Sequence, residues 1–428
     1  MLKDTNIRTV LPLLAATCAL LLSTAVSAQY FGHEYEGRQA PIREGEQPVV
    51  PLDTEDPTYN AWRTPLPSYE GEKEGRKPGL VDPARFYGQG YAQLPTFLHQ
   101  PLAFTPEDLA AAEVDVAIMG AFTDMGSGAR GASRGPNAVR NSSIYLGYGA
   151  RQPHMHVMVD PLQDMTVVDY GNAPNDMMST ERTIHAVRSF VRQVAEVQHA
   201  DGSRVIPFII GGDHSLMYPD VAALTDVYGK GNVGVVHFDA HYDAGKYGFG
   251  HLINHGMPVY RLIEEDLVDG RNFIQVALRG YYPDEKAFEW MRENGFRYHT
   301  MAEIERRGFD AVMEDVIKEA NDGPEYIFVS FDIDTLDPAF VPGTGTPEPG
   351  GLMPREVFPI IRRLCAESNV VGFELVELAP LMDPTYVSAL NANRVVRECL
   401  TGIAMRKQGL TDPHYLSPLT VTHGQDKN

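Results

Sequence analysis

Eight short apolar runs recur along the chain between residues 115 and 375, and helical patterns lie between several of them. The runs are residues 115–121, 165–170, 204–210, 233–238, 272–278, 296–299, 326–331 and 369–375. Residues 181–199 and 354–366 show the apolar spacing of amphipathic helices. Strands that alternate with helices predict a parallel sheet that is covered on both faces. We therefore predict an α/β fold of three layers, α/β/α, with a central parallel sheet of about eight strands.

Three of these runs end in carboxylates or imidazoles. The six potential metal ligands are Asp239, His241 and Asp243 after the run 233–238, His214 after 204–210, and Asp332 and Asp334 after 326–331. In an extended strand, residues two apart point the same way, so Asp239, His241 and Asp243 face one side. The carboxyl ends of parallel strands meet at one edge of a sheet. The pattern predicts one polynuclear metal site at that edge.

The motifs that contain these ligands resemble those of the ureohydrolase family, which includes arginases, agmatinases and guanidino-acid hydrolases. They are GGDHS, DAHYD and SFDIDTLDP, followed by GTGTPEPGG and VELAP, and the likeness runs from about residue 114 to residue 407. The resemblance implies an arginase-like fold, usually oligomeric, and hydrolysis of a guanidino compound to urea and an amine. We expect a homo-oligomer, either a trimer or a hexamer.

The resemblance also implies how the ligands are shared between two metal ions. One ion takes His214, Asp239, Asp243 and Asp332, and the other takes Asp239, His241, Asp332 and Asp334, so that Asp239 and Asp332 bridge. Carboxylates and imidazoles suit a hard or borderline cation. We expect two Mn²⁺ ions per chain, with Ni²⁺ as the alternative, because it binds such donors more tightly. Asp243 is counted both as a ligand and as a catalytic residue.

Two further residues are assigned to catalysis and substrate binding by the resemblance. His255 occupies the position of a proton-shuttling histidine, and an ordinary imidazole pKa of about 6.5 suits delivery of a proton to a leaving amine. Glu377, in VELAP, is expected to bind the guanidinium group, because a carboxylate matches its planar donors. His237 and Glu374 are interpreted as buried residues behind the ligands.

The substrate is expected to be a small cationic guanidino compound. Arginases of the family have Asn where this chain has Gly245, so the resemblance favours agmatine or a guanidino acid such as 4-guanidinobutyrate. Lys246, Tyr247 and Phe249 are candidates for the mouth of the site, and an inward Lys246 would favour a carboxylate. The alternatives are a guanidine hydrolase, an arginase, a deacetylase-like hydrolase with one metal, or a binding protein without activity.

Composition narrows the partners and the compartment. The formal net charge is −21, which argues against nucleic acid, because binding it requires a basic face. Lys3 and Arg8 precede a short apolar stretch that ends in Val-Ser-Ala before residue 29, as in a secretory signal peptide. We predict export to the periplasm or the medium, without stable membrane insertion after cleavage. Cys365 and Cys399 then remain, either paired or simply buried.

The expected organisation of the chain has four parts. Residues 1–28 are the signal peptide, and residues 29–105 are an extension rich in Pro, Gly, Glu and Tyr. Residues 106–410 are the catalytic domain, and residues 411–428 are a polar tail. A glycine-rich segment, 126–140, lacks the Lys-Ser/Thr of a phosphate-binding P-loop. We interpret it as part of the rim of the active site or of a subunit contact.

Overall fold

Eight parallel strands form one continuous sheet in the computed structural model, which describes residues 77–82, 94–126, 131–143, 152–248 and 251–421. The strands are β1 (Val116–Gly120), β2 (Val167–Asn172), β3 (Ile206–Ile210), β4 (Val233–Phe238), β5 (Phe273–Leu278), β6 (Arg297–Thr300), β7 (Tyr326–Asp332) and β8 (Val370–Val376). Their order across the sheet is β2-β1-β3-β8-β7-β4-β5-β6. The eight predicted strands and the parallel arrangement are confirmed.

Helices cover both faces of this sheet. They are α1 (Pro106–Ala111), α2 (Gly135–Ser142), α3 (Pro161–Asp164), α4 (Thr180–Ala195), α5 (Met217–Tyr228), α6 (Pro258–Glu264), α7 (Glu285–Glu293), α8 (Met301–Arg307), α9 (Phe309–Ala320), α10 (Pro354–Glu367), α11 (Val387–Lys407) and α12 (Pro418–Val421). Within the described ranges, no helix has the length and apolar content that a membrane span requires.

The central strands are buried on both faces, which explains why they read as continuous apolar runs. In β7, Val329 and Phe331 join the core formed with α9, α10 and α11, whereas Phe328 joins the core under α5 and α6. The two faces alternate because successive side chains of a strand point to opposite sides. Burial on both sides holds the central strands rigidly, so their ends are well placed for a precise site.

Two features of the helices bear on the predictions from the sequence: the end of α4 and the cysteines of α10 and α11. The helix predicted over 181–199 ends at Ala195, because the chain then forms a tight turn with a bridge between Gln198 and Arg204. Cys365 in α10 and Cys399 in α11 are both fully buried, and they form a disulfide. The cysteines were expected to be either paired or buried, and the structure shows both.

The two ends of the chain are only partly described. The predicted signal peptide and most of the extension over 29–105 lie outside the described residues. The first part of the tail is included, and its Ser417 N–H donates to the carbonyl of His156 at 2.8 Å. This part of the tail therefore contacts its own chain.

Candidate metal centre and active site

The candidate ligands stand at the carboxyl ends of four neighbouring strands, in the order β3, β8, β7, β4. His214 opens a 3₁₀ turn after β3, Asp239, His241 and Asp243 follow β4, Asp332 ends β7, Asp334 lies in the next 3₁₀ turn, and Glu377 follows β8. Because the strands are adjacent and parallel, their ends open into one crevice. The structure thus brings all six predicted ligands and Glu377 to one edge of the sheet.

One set of donor atoms surrounds the imidazole of His214. Its Nδ1 lies 3.0 Å from Asp239 Oδ2, 3.1 Å from Asp243 Oδ2 and 3.1 Å from Asp332 Oδ2. His214 and Asp239 are fully buried, and the two other side chains are nearly so. Separations of about 3 Å are those of ligands that share one ion at roughly 2.1 Å.

A second set lies beside the first and shares Asp239 with it. His241 Nδ1 is 3.0 Å from Asp334 Oδ2 and 3.4 Å from Asp239 Oδ1. Asp239 therefore presents one oxygen to each set, as expected of a bridging ligand. Asp332 directs Oδ2 towards His214, while its Oδ1 accepts the backbone N–H of Asp334 at 2.8 Å. Two adjoining donor sets fit two cations, in contrast to the one-metal alternative.

The chemistry of these donors also fits metal ions. His214 Nδ1 and Asp334 Oδ2 are buried and lie about 3 Å from oppositely charged neighbours, but none of these contacts has the geometry of a hydrogen bond, which a buried polar atom normally makes. Burial opposes protonation of His241, but its contacts with Asp239 and Asp334 outweigh burial and raise its pKa to about 12. Burial raises the pKa of Asp332, and the nearby Asp334 and Asp239 raise it further. The crowded carboxylates require positive charge, which divalent cations supply.

Two residues of the site have a backbone conformation that non-glycine residues rarely adopt. Asp243 has φ of 46° and Glu377 has φ of 62°. Such positions cost on the order of 1 kcal/mol or more and persist where surrounding structure imposes them. Gly212 of the GGDHS motif, at φ of 53°, allows a close approach, because a Cβ there would lie 2.6 Å from the carbonyl of Ala121.

A second row of side chains orients the ligands, and the sequence motifs identified only part of it. His237 Nε2 lies 2.8 Å from Asp239 Oδ2, and Gln275 Nε2 approaches His237 Nδ1 at 3.0 Å. Ser330 Oγ lies 2.9 Å from His214 Nε2. His237 was predicted to lie behind the ligands, whereas Gln275 and Ser330 were missed. Ser330 precedes Asp332 by two residues on β7, so strand periodicity alone indicated that it faces the site.

Glu377 and His255 form a pair next to the metal ligands. Glu377 Oε1 accepts the backbone N–H of His214 at 3.0 Å and lies 3.1 Å from His255 Nδ1. Its other oxygen, Oε2, is buried without a hydrogen-bond partner. Burial opposes protonation of His255, but Glu377 outweighs it, with help from Asp243 and Asp213, and raises the pKa of His255 to about 9. Burial also raises the pKa of Glu377 above its usual range.

A cavity of about 330 Å³ leads from the surface to these groups. It is lined by the ligand residues His241, Asp243 and Asp332, by His255, and by Asn254, Met257 and Thr346, with the exposed Tyr247 and Tyr282 at its outer wall. Tyr282 Oη donates to the hydroxyl of Tyr242, which lies within the DAHYD motif, at 3.1 Å. The cavity is large enough for a small linear molecule, and it reaches three of the ligand residues and His255, which contacts Glu377.

The loop after DAHYD agrees only partly with the expected mouth of the site. Tyr247 lines the cavity, as predicted. Lys246 does not, because its Nζ lies 5.9 Å from the ring centroid of Tyr260 on α6. Lys246 therefore does not point into the cavity in this structure. Recognition of a substrate carboxylate by Lys246 required that inward orientation. Phe249 lies outside the described residues.

The glycine-rich segment is consistent with its interpretation as rim. The N–H of Gly126 donates to the buried Asp213 Oδ2 at 2.7 Å. A Cβ at Gly126 would lie 2.6 Å from the backbone nitrogen of His255, so this loop lies directly against the histidine. Residues 127–130 are outside the described ranges.

Comparison with known proteins identifies the family. The family model described as "Arginase family" matches residues 114–402. The chain belongs to the arginase family.

Curated relatives agree with this assignment. The chain is 34% identical to a guanidinobutyrase of Pseudomonas aeruginosa over 71% of this chain and 90% of that protein. It is also 34% identical to the mitochondrial agmatinase of Gallus gallus over 69% of this chain and 83% of that protein. Among solved structures, proclavaminate amidinohydrolase of Streptomyces clavuligerus matches with a TM-score of 0.65 and 30% identity, over 74% of this chain and all of that one.

Membership of the arginase family confirms the fold and the class of enzyme that the motifs indicated. The protein is an arginase-family hydrolase, of a family that uses a binuclear metal site and cleaves C–N bonds of guanidines and amidines. In this chain, two groups of side chains that share Asp239 are candidates for that metal site, His214 with His237 and Asp243 in one, and His241 with Asp334 in the other.

Proposed function

We propose that this arginase-family protein is an exported amidinohydrolase that releases urea from agmatine. The proposal rests on the buried Oε2 of Glu377, which has no hydrogen-bond partner, and on the contact of Glu377 with His255, which lines a cavity beside the metal-ligand sets. A planar guanidinium is the cation that a buried carboxylate accepts in a bidentate way.

The metal ions are proposed to be held as the family resemblance implies. His214, Asp239, Asp243 and Asp332 hold one ion, and His241, Asp239, Asp332 and Asp334 hold the other. Manganese is our first choice and nickel the alternative, because the donors are carboxylates and imidazoles. When bound, a metal pair lowers the pKa of an attacking water from about 15.7 to about 7.

Glu377 and His255 are proposed to bind the substrate and to transfer the proton. Glu377 binds the guanidinium and fixes the orientation of its carbon towards the ligands. An incoming guanidinium competes with His255 for Glu377, since both are cations beside the same carboxylate. Release from Glu377 frees the protonated imidazole to give its proton to the leaving amine. His255 Nδ1 lies 3.1 Å from Glu377 Oε1, so the proton donor lies next to the carboxylate that binds the guanidinium group.

The outer cavity wall supports agmatine over a guanidino acid. Among the described residues, no Lys or Arg lines the cavity, and Lys246 lies against Tyr260 instead. A carboxylate tail would therefore lose contact with water there without gaining a cationic partner, which is costly. The aromatic faces of Tyr247 and Tyr282 instead suit an ammonium group. Gly245 lacks the amide that arginases use, which disfavours arginine.

Export and assembly are part of the proposal. The Cys365–Cys399 disulfide supports an oxidising compartment, because disulfides are rare where thiols are kept reduced. The signal-like sequence before residue 29 supports the same location. We also propose a homotrimer or homohexamer, by analogy with the family.

A substrate panel tests the proposal. Purified mature protein is loaded with Mn²⁺ or Ni²⁺, and urea release is measured with agmatine, 4-guanidinobutyrate, 3-guanidinopropionate, arginine and guanidine. We expect kcat/KM for agmatine to exceed that for 4-guanidinobutyrate at least about tenfold, the cost of one unpaired charge at the low end. A faster guanidino acid would reject agmatine and point to a cation from residues that the structure does not describe. No urea from any compound would reject the function.

A further inference from the structure

Arg279, which follows β5 directly, uses its guanidinium in an unusual way for a side chain beside an acidic metal site. Its hydrogen bonds go to backbone carbonyls. Nη2 donates to Asp334 at 2.6 Å and to Glu348 at 2.7 Å, Nε donates to Glu348 at 3.1 Å, and Nη1 donates to Ala277 at 3.3 Å. One of these carbonyls belongs to a candidate metal ligand.

The carbonyl of Glu348 belongs to the loop 343–351, which forms part of the cavity wall through Thr346. The loop is also tied to the turn that holds Asp334, since Leu352 N donates to the carbonyl of Thr335 at 3.0 Å. At its other end, the N–H of Ala379 donates to the carbonyl of Gly343 at 2.8 Å, two residues after Glu377. The loop therefore connects the metal-ligand turn, the cavity wall and the segment after β8 that carries Glu377.

The socket of Arg279 is shaped for a guanidinium. A Cβ at Gly351 would lie 2.7 Å from Nη2 of Arg279, so a larger residue there would displace the side chain. At the neighbouring Gly280, with φ of 86°, a Cβ would lie 2.7 Å from the carboxyl carbon of Glu348. The two glycines thus allow the loop to close over the planar group.

We propose that Arg279 is a positioning residue that sets the Asp334 metal-ligand turn and the 343–351 substrate loop together. Its planar fork holds two carbonyls on different segments at once, which a lysine ammonium on a flexible stem does not reproduce. Second-row partners of this kind are worth about 10- to 100-fold in metal affinity or activity. The effect on substrate rests on the function proposed above, whereas the effect on metal does not.

The primary test is metal binding to Arg279→Lys, measured by calorimetric titration of metal-free protein with Mn²⁺. We expect the ion at the His241–Asp334 set to bind about 10- to 100-fold more weakly, while the ion at the His214 set keeps the parent Kd within about threefold. Arg271→Lys is the matched control, because Arg271 is exposed and pairs with Asp322 at the surface. Equal weakening of both ions, or of neither, would reject the proposal.

A double variant separates positioning from a general structural role. In an Asp334→Ala background, the affected ion is already lost, so adding Arg279→Lys is expected to leave the affinity of the remaining ion unchanged. A further drop in that affinity would show that Arg279 acts on the whole domain and would overturn the proposal. Arg279→Gln is titrated in parallel. If the lysine variant does not fold, the glutamine variant tests the proposal in its place, again by whether only the ion at the His241–Asp334 set binds more weakly.

The substrate arm uses urea release from agmatine at saturating Mn²⁺. KM is expected to rise about tenfold in Arg279→Lys, because the loop that carries Thr346 loses its anchor, at the low end of the cost of such partners. An unchanged KM with selective metal loss would remove the loop from the proposal. If the parent protein releases no urea from any guanidino compound, the proposed function fails, and the metal titrations still decide the role of Arg279.

Discussion

Glu377→Gln is the substitution that most directly tests how the site recognises a guanidinium. Gln is nearly isosteric with Glu, and its amide oxygen can still accept the backbone N–H of His214, now at 3.0 Å. The charge is lost, and an NH₂ group replaces one carboxylate oxygen. If that NH₂ group takes the place of Oε2, which is buried without a hydrogen-bond partner, its N–H donors face the N–H donors of the substrate's guanidinium group.

The magnitude follows from these contacts. Loss of a hydrogen bond to a charged group costs about 1.5 to 3 kcal/mol, and truncating one partner of a buried charged pair costs about 2 to 5 kcal/mol. A value of about 3 to 4 kcal/mol corresponds to a fall in kcat/KM of roughly 10²- to 10³-fold. Metal content should stay at two ions per chain, because Glu377 belongs to neither donor set.

The same variant has a second readout in its pH profile. Glu377 raises the pKa of His255 to about 9, so removing the carboxylate lowers the pKa of the imidazole. If the protonated imidazole is the proton donor, kcat/KM of the parent falls as the pH rises through about 9. In Glu377→Gln, that fall should begin at lower pH.

The assay measures urea release between pH 6 and pH 10, with metal analysis of each sample. Glu305→Gln on α8 is the control, because this side chain is exposed and far in sequence from the site motifs. A Glu377→Gln variant that keeps two ions and loses less than tenfold in kcat/KM would refute the role of Glu377 in guanidinium binding.

Three further predictions concern the metal site, the proton donor and the disulfide. Asp334→Ala should lose one of two metal ions and most activity; full activity by urea assay with unchanged metal content would contradict the ligand assignment. His255→Asn should lower kcat by about 10²- to 10⁴-fold and abolish the fall in rate near pH 9, and a profile that keeps this fall would assign it to another group. Replacing Cys365 and Cys399 by Ala should lower the free energy of unfolding by about 4 kcal/mol, since the disulfide closes a separation of 34 residues. Denaturant unfolding measures this loss, and equal stability of the two proteins would show that the crosslink is dispensable.

Local pattern was enough to predict the sheet and the edge of the sheet at which the candidate metal ligands meet. Apolar runs with carboxylates or imidazoles at their ends define strands whose carboxyl ends open into the same crevice, because parallel strands share one such edge. For this reason His214, Asp239 and Asp332 could be placed together before any coordinates were known. The period-two argument for Asp239, His241 and Asp243 is wrong, since β4 ends at Phe238 and Asp243 has φ of 46°. The family motifs added His255 and Glu377 to the same region.

The directions of loop side chains depended on contacts between distant segments, which periodicity does not encode. Lys246 follows the last ligand of DAHYD by three residues, yet its ammonium lies beside Tyr260 on α6 and leaves the cavity wall neutral. Gln275 supports a ligand from a neighbouring strand, and only strand register brings it opposite His237. Likewise, the 34-residue separation of Cys365 and Cys399 did not show whether they meet, because that depends on how α10 packs against α11. The sequence alone determined which strands carry the chemistry, and the tertiary structure decided which loop and second-row side chains complete the site.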